Sequence, residues 1–367
     1  MNLRSVRPWL TAGAAAVFGA LVLAAPQAAA AGFASGTALC LQSVLPALFP
    51  FFVVCELLTT APPPRFLLRP LQKVLGFQSA EAAQAVVLSW VGGYAVCARL
   101  AGQLYGAGRI SRRDAALLQV LGCCSGPGFV VGCVGGLLLD NVRLGVLLYA
   151  AQIGANLGAV CALFVAVSVG AVGENLSMTR NVSDSGKALS PSRCGGSPLA
   201  EGDKGLPAAI SSAVTSSLSV CGCVVFFRVA GAVLRAVLPL PAAVVGMALE
   251  VSAGCADWAA LGGRAALYGC CACLSVLGVS VWAQMQLFAG AAFCPRTLLC
   301  SRAVHFVLLQ GIMHLCVRLL PGVVTACSTL SPRVVPLVRL PPDAALAGFA
   351  FLCAALYKAR QNLYNKM

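Results

Sequence analysis

Ala115–Leu139, AALLQVLGCCSGPGFVVGCVGGLLL, is the stretch whose reading decides the fold. It lies between Asp114 and Asp140 and carries no charge, so by length and polarity it can span a bilayer. Its middle reads Ser125-Gly126-Pro127-Gly128. Proline removes a backbone donor and clashes with the preceding turn, and glycine has little helical preference, so one straight helix is not expected. An unwound backbone at membrane depth is tolerated only where it is buried in protein or lines a cavity. Two half-helices meeting in mid-membrane form a binding-site design found in transporters. The alternative is a kinked helix packed through its small residues.

The rest of the chain has the same solvent preference. Hydrophobic residues make up 59% of its 367 positions and charged residues 10%, with a mean hydropathy of +0.89. That balance excludes an ordinary soluble domain and predicts an all-α polytopic membrane protein whose first partner is the lipid bilayer. The formal charge of +14 would suggest nucleic acid in a soluble protein. Here the basic residues fall in short loops between apolar runs, where they report topology, and no nucleic-acid partner is expected. The 19 cysteines lie mostly inside apolar runs, where free Cys packs as a small hydrophobe. Cys270 and Cys273 form one C-x-x-C without a second pair, and His305 and His314 are nine residues apart, so neither a metal site nor a cofactor is expected.

In chain order, residues 10–31 follow Arg4 and Arg7 and end in four alanines. They read either as a signal-like segment or as an uncleaved first transmembrane helix, closing an N-terminal unit at 1–35. A first repeat is expected at 36–170. It opens with an apolar run to about residue 60 that contains Glu56, an acid whose cost in lipid marks a functional or paired site. The amphipathic segment 62–78 carries Arg65, Arg69 and Lys73 on the basic side of the membrane. Residues 82–105, interrupted by Gly92-Gly93-Tyr94, are flanked by basic loops on both sides, so they form a re-entrant hairpin. The broken stretch then crosses outward and about 144–170 returns. Residues 171–206, polar and rich in Ser, Gly and Pro, read as a flexible cytoplasmic linker, where the sequons at Asn175 and Asn181 would meet no glycosylation machinery.

A second repeat, 207–320, follows the same plan: a span near 208–238, a hairpin at about 243–263 and a broken span at 265–292. This last returns inward to Arg296 and Arg302 and is followed by a helix at 303–320. The C-terminal segment, 321–367, holds a further apolar run at 343–357 and a basic tail. Val276-Leu277-Gly278 mirrors Val120-Leu121-Gly122, and Cys255-Ala256 mirrors Cys97-Ala98. Loop charges give the repeats opposite orientations, which is the inverted-repeat plan of transporters.

In that plan both hairpin tips and both breaks meet near the membrane centre. The candidate solute-binding residues are Ser89, Gly92, Gly93, Tyr94, Ser125, Gly126 and Pro127 from the first repeat. The second supplies Glu250, Ser252, Gly254, Asp257, Ser280, Gln284 and Gln286. Glu250 stands without a basic residue close in sequence, which suits a coupling cation or proton, or a hydrogen bond to a polar solute. An interhelical pair with Arg99 or Arg228 is the alternative. Arg99 and Asp257 occupy equivalent repeat positions with opposite sign, suggesting an ion pair across the pseudo-two-fold axis. No nucleophile–histidine pair or phosphate-binding loop is evident, so no enzyme activity is expected.

These residues resemble the YlbJ family of sporulation integral membrane proteins, which belong with the nucleoside-recognition or Gate domain proteins. The similar features are Leu45-Pro46-Ala47-Leu48-Phe49-Pro50-Phe51-Phe52 with Glu56, Gly93-Tyr94 leading to Ala98-Arg99-Leu100, and Ser125-x-Pro127. Leu249-Glu250-Val251-x-x-Gly254 and Leu277-Gly278-Val279-Ser280 through Gln284-Met285-Gln286 complete the set. The resemblance covers roughly 36–320. It implies a bacterial cell-membrane protein needed for spore formation, with a domain similar to those of nucleoside transporters. The leading expectation is a transporter-like protein that moves a small polar solute, nucleoside-like in class, across the membrane around the developing spore. The family pattern has Pro where Ala95 stands and is more polar ahead of the break than Leu121-Gly122-Cys123-Cys124. A non-transporting scaffold for spore-envelope assembly is the rival reading. Convergence of the central polar residues on one solvated cavity would favour transport, and a dry interior would favour the scaffold.

Overall fold

A computed structural model describes residues 3–60, 65–168 and 205–320. The linker beyond Ser168, the last apolar run at 343–357 and the basic tail lie outside the described residues. Within them the chain is helical throughout, a polytopic all-α membrane protein. Val142–Val165, Leu206–Val237, Gly263–Ala292 and Pro295–Leu319 are each long and apolar enough to cross a bilayer.

The first two helices, α1 (Leu3–Ala24) and α2 (Pro26–Leu39), are bent by about 102° at Ala25, with Pro26 opening the second. A π-helical turn (Cys40–Val44) joins α2 to α3 (Leu45–Thr60). Residue 36, where the first repeat is expected to open, falls inside α2, which begins at Pro26. Then come α4 (Arg65–Leu75), α5 (Ala80–Gly92), α6 (Tyr94–Gly106) and α7 (Arg112–Gly122). An irregular segment at 123–127 leads into a π-helix (Gly128–Leu138), followed by α8 (Val142–Ser168). The second half holds α9 (Leu206–Val237), α10 (Ala242–Leu249), α11 (Val251–Ala259), α12 (Gly263–Val276), α13 (Gly278–Ala289) and α14 (Pro295–Leu319).

At 13 residues each, α5 and α6 reach only about 20 Å, too short to cross. Glu81 near the start of α5 and Arg109 just after α6 form an ion pair at 3.3 Å, so the two helices fold back as a hairpin with Gly93 at the tip. In the second hairpin α10 and α11 are closer still. A Cβ on Gly254 would lie 2.7 Å from the Met247 nitrogen, and one on Gly246 would lie 2.8 Å from Asp257 Oδ2. Only the absence of side chains lets these backbones approach so closely.

The long helix α9 measures the relative orientation of the hairpins. Ser212 and Ser216, near its N-terminal end, bind Arg99 of α6. Val220 lies beside both tips, and Arg228 further along meets Asp257 of α11. The two hairpins therefore enter from opposite ends of α9 and meet near its middle. Equivalent elements also pair antiparallel. Gly32 and Gly36 of α2 lie against Val229 and Val225 of α9, and Gly154 and Gly158 of α8 lie against Ile312 and Leu308 of α14. Antiparallel pairing of equivalent helices is what two inverted repeats require.

Candidate functional site

Each hairpin tip rests on the break of the helix that follows it. At the first tip Gly93 adopts φ +82°, and a Cβ there would lie 3.0 Å from the Gly126 nitrogen. At the second break, Leu277 and Gly278 adopt φ +68° and +67°. A Cβ on Gly278 would lie 2.8 Å from both the Glu250 nitrogen and the Leu249 carbonyl carbon. The chain passes so close to itself here that only glycine fits.

The first break leaves Leu121, Cys123 and Ser125 with carbonyls that no helix can satisfy, and a buried unpaired carbonyl is costly. Side chains from three other helices supply partners, the first being Trp90 of α5, which donates to the Leu121 carbonyl at 3.0 Å. Gln152 of α8 accepts from the Ser125 nitrogen at 3.2 Å and donates to its carbonyl at 3.0 Å. One turn on, Asn156 donates to the Leu121 carbonyl at 3.2 Å. Arg302 of α14 donates to the Cys123 carbonyl at 3.0 Å and to Asn156 Oδ1. His305 lies one turn from Arg302, bonded to Ser275 Oγ at 3.0 Å. This corrects the placement of Arg302 in a loop: α14 begins at Pro295, so Arg302 lies two turns inside the helix and only 4% of it is exposed.

The second tip is built differently. Glu250 caps α11, accepting from the Ala253 nitrogen at 2.7 Å through Oε2. Its other oxygen, Oε1, is buried without a partner, as is Ser125 Oγ. Among the described residues neither Arg99 nor Arg228 pairs with Glu250. Both have other acids, which also corrects the expected Arg99–Asp257 pair. Arg99 pairs with Glu56 of α3, and Arg228 pairs with Asp257 at 3.4 Å and donates to Ser35 of α2 at 3.3 Å. Sequence position gave the signs correctly. The partners differ because α9 and α3 stand between the two hairpins.

Of the expected residues, Gly92, Gly93, Tyr94, Ser125, Gly126 and Ser252 line one central cavity, together with Phe52, Phe129 and Val220. Its free volume is about 10 Å³, room for at most one water molecule. Pro127 adjoins it as the residue opening the π-helix. The other expected residues are elsewhere. Ser89 bonds its own helix at Ala85, Gly254 lies in the α10–α11 contact, and Gln284 donates to Ser280 at 3.1 Å away from the lining. Gln286 is exposed. Gln152, Asn156 and Arg302 were missed, although polar residues spaced by four on one face of an apolar helix are a readable signal of buried pairing. Cys270 and Cys273 are fully buried, with Cys270 donating weakly to the Cys255 carbonyl at 3.6 Å. Among the described residues no His, Cys, Asp or Glu group is arranged to hold a metal ion.

The chain is similar to the sporulation integral membrane protein YlbJ of Bacillus subtilis (strain 168), 29% identical over 160 residues. The aligned region is 43% of this chain and spans 39% of the relative's length. No family model matches the chain, and no solved structure matches it.

Proposed function

We propose that this is a sporulation-associated membrane protein with a Gate-like, transporter-like core, which holds a small polar solute between its hairpin tips and passes it across the membrane around the developing spore. The observation that carries the reading is the meeting of Ser125 and Ser252, from oppositely oriented repeats, at one cavity, where Ser125 Oγ is buried without a partner; Glu250 Oε1, on the residue two before Ser252, is a second buried oxygen without one. Buried polar atoms are normally satisfied, and a solute with hydroxyl or amide donors would satisfy both. The sporulation role rests on the similarity to the Bacillus subtilis protein. The cavity is too small for a nucleoside, so in this reading the conformation is closed on both sides and the solute enters when the tips separate. No catalytic step is part of the proposal.

The cavity size also favours a second reading, a non-transporting scaffold for spore-envelope assembly, since most of the lining is apolar. Uptake of nucleosides, nucleobases and small polar metabolites into proteoliposomes separates the two. Transport predicts uptake of a solute class that Glu250→Gln abolishes while the protein stays folded. Absence of uptake across the panel, with normal spore yield from the Glu250→Gln strain, would refute transport and leave the scaffold.

A further inference from the structure

We infer that the two ion pairs packed along α9, Arg99–Glu56 and Arg228–Asp257, are the inner and outer gates of the central cavity, an inference that rests on the reading of that cavity as a solute site. The geometry is symmetric in position and reversed in charge. Arg99 lies six residues beyond the first tip and Asp257 seven beyond the second, so each pair sits about 10 Å from the tips along its hairpin. On α9 the first pair contacts Ser212 and Ser216 and the second is anchored at Arg228. Twelve residues, about 18 Å, separate Ser216 from Arg228, with Val220 and the cavity between them.

Each pair ties a moving part to a fixed one. Arg99 joins its hairpin to Glu56 of α3 and to α9, with Ser212 bridging by donating to Glu56 and accepting from Arg99. Arg228 joins α9 to the other hairpin through Asp257 and to α2 through Ser35. A narrow crevice lined by Phe52, Ala95, Val96, Arg99, Ser216 and Phe288 shares Phe52 and Ala95 with the central cavity. The crevice has no free volume for a water molecule, so the side of the cavity toward the end of the bundle bearing Arg109, Arg112 and Arg113 is shut at the level of Arg99. Side-chain exposure is 14% and 12% for Arg99 and Glu56, and 24% and 17% for Arg228 and Asp257. Partly hydrated charges can separate and be resolvated, which fully buried ones cannot do at reasonable cost. The first gate has two extra serine bonds, so it is the tighter one.

The test uses the full chain with Cys161, Cys194, Cys223, Cys300, Cys316, Cys327 and Cys353 replaced by Ser, leaving the buried thiols in place, and Ser252→Cys as a reporter in the cavity. Labelling by a membrane-impermeant thiol reagent is measured in right-side-out and inside-out vesicles. Glu56→Gln should raise the rate from the cytoplasmic side by about tenfold to a hundredfold, the equivalent of one lost charge-assisted hydrogen bond, and leave the other side unchanged. Asp257→Asn should do the reverse. Ser212→Ala, which removes only the bridging hydroxyl, should reproduce the Glu56→Gln result more weakly if that variant does not fold. Unchanged rates, or equal rises on both sides, would overturn the gate assignment. Side-specific labelling in a protein that transports nothing would keep the gates and remove the solute reading, so the two fail separately.

Discussion

Replacing Gly278 with Ala tests whether the second hairpin tip really rests on the broken helix. Two costs add at this position. The residue holds φ +67°, where an L side chain costs about 1–2 kcal/mol. Its Cβ would also meet three backbone atoms, the Glu250 nitrogen, the Leu249 carbonyl carbon and the Leu249 oxygen, at 2.8–2.9 Å. Backbone cannot rotate away as a side chain can, so the tip must shift, and overpacking of this kind costs typically 1–3 kcal/mol. Gly263 is the internal control: its φ is +56° and nothing lies within 4 Å of a Cβ there. Gly263→Ala should therefore show the conformational cost alone. Gly278→Ala should be less stable than the control by about 1–3 kcal/mol, or about 2–12 °C in melting temperature at 2–4 °C per kcal/mol. Thermal unfolding in lipid-supplemented detergent, followed by tryptophan fluorescence, measures both variants under one condition. Equal losses for the two would refute the contact between tip and break, and with it the geometry that brings Ser252 into the site.

Three further outcomes are expected. Glu250→Gln keeps an acceptor for the Ala253 nitrogen and strands no arginine, so its stability should stay within about 1 kcal/mol of the parent, while Glu250→Ala should lose roughly 0.5–2 kcal/mol of capping; a large loss for Gln would mean that the carboxylate has an ionic partner. Asp114 accepts from the Gln78 and Ser79 nitrogens and from Ser79 Oγ, each at 3.0 Å, and is fully buried, so Asp114→Ala should cost about 3–5 kcal/mol in a denaturation series, and a cost below 1 kcal/mol would show that water replaces it. Single reactive cysteines at positions 108 and 240 should label from opposite faces of the membrane, and labelling from one face would contradict the opposed hairpins.

The parts legible in the sequence were those with a local cause. Gly93 and the Ser125-Gly126-Pro127 run break helices by their own backbone chemistry, and the hairpin and the irregular segment lie where those residues put them. The second break has no proline; it was found only because Leu277-Gly278 repeats Leu121-Gly122, and both mark helix ends in the structure. Glu56, Arg99, Arg228 and Asp257 were recognisable as charges needing partners. Their pairing was not, because it depends on which helix lies between them. Arg302 was misread for a related reason: hydropathy alone puts an arginine near a helix end in a loop, and the carbonyl that justifies burying it belongs to a residue 179 positions earlier.

That separation has a consequence for how the protein is made. The Cys123 carbonyl enters the membrane long before its arginine exists, and at about 5–20 residues per second the ribosome needs roughly 10–35 s to supply it. During that interval the nascent first repeat holds an open backbone that Trp90, already made, and Gln152 and Asn156, about 30 residues behind, close only in part. The first half is thus committed to the membrane as an unfinished piece, and the translation of α14 completes it. Ribosomes stalled between Ser168 and Pro295 should leave chains that the membrane quality-control proteases clear faster than chains stalled after Leu319.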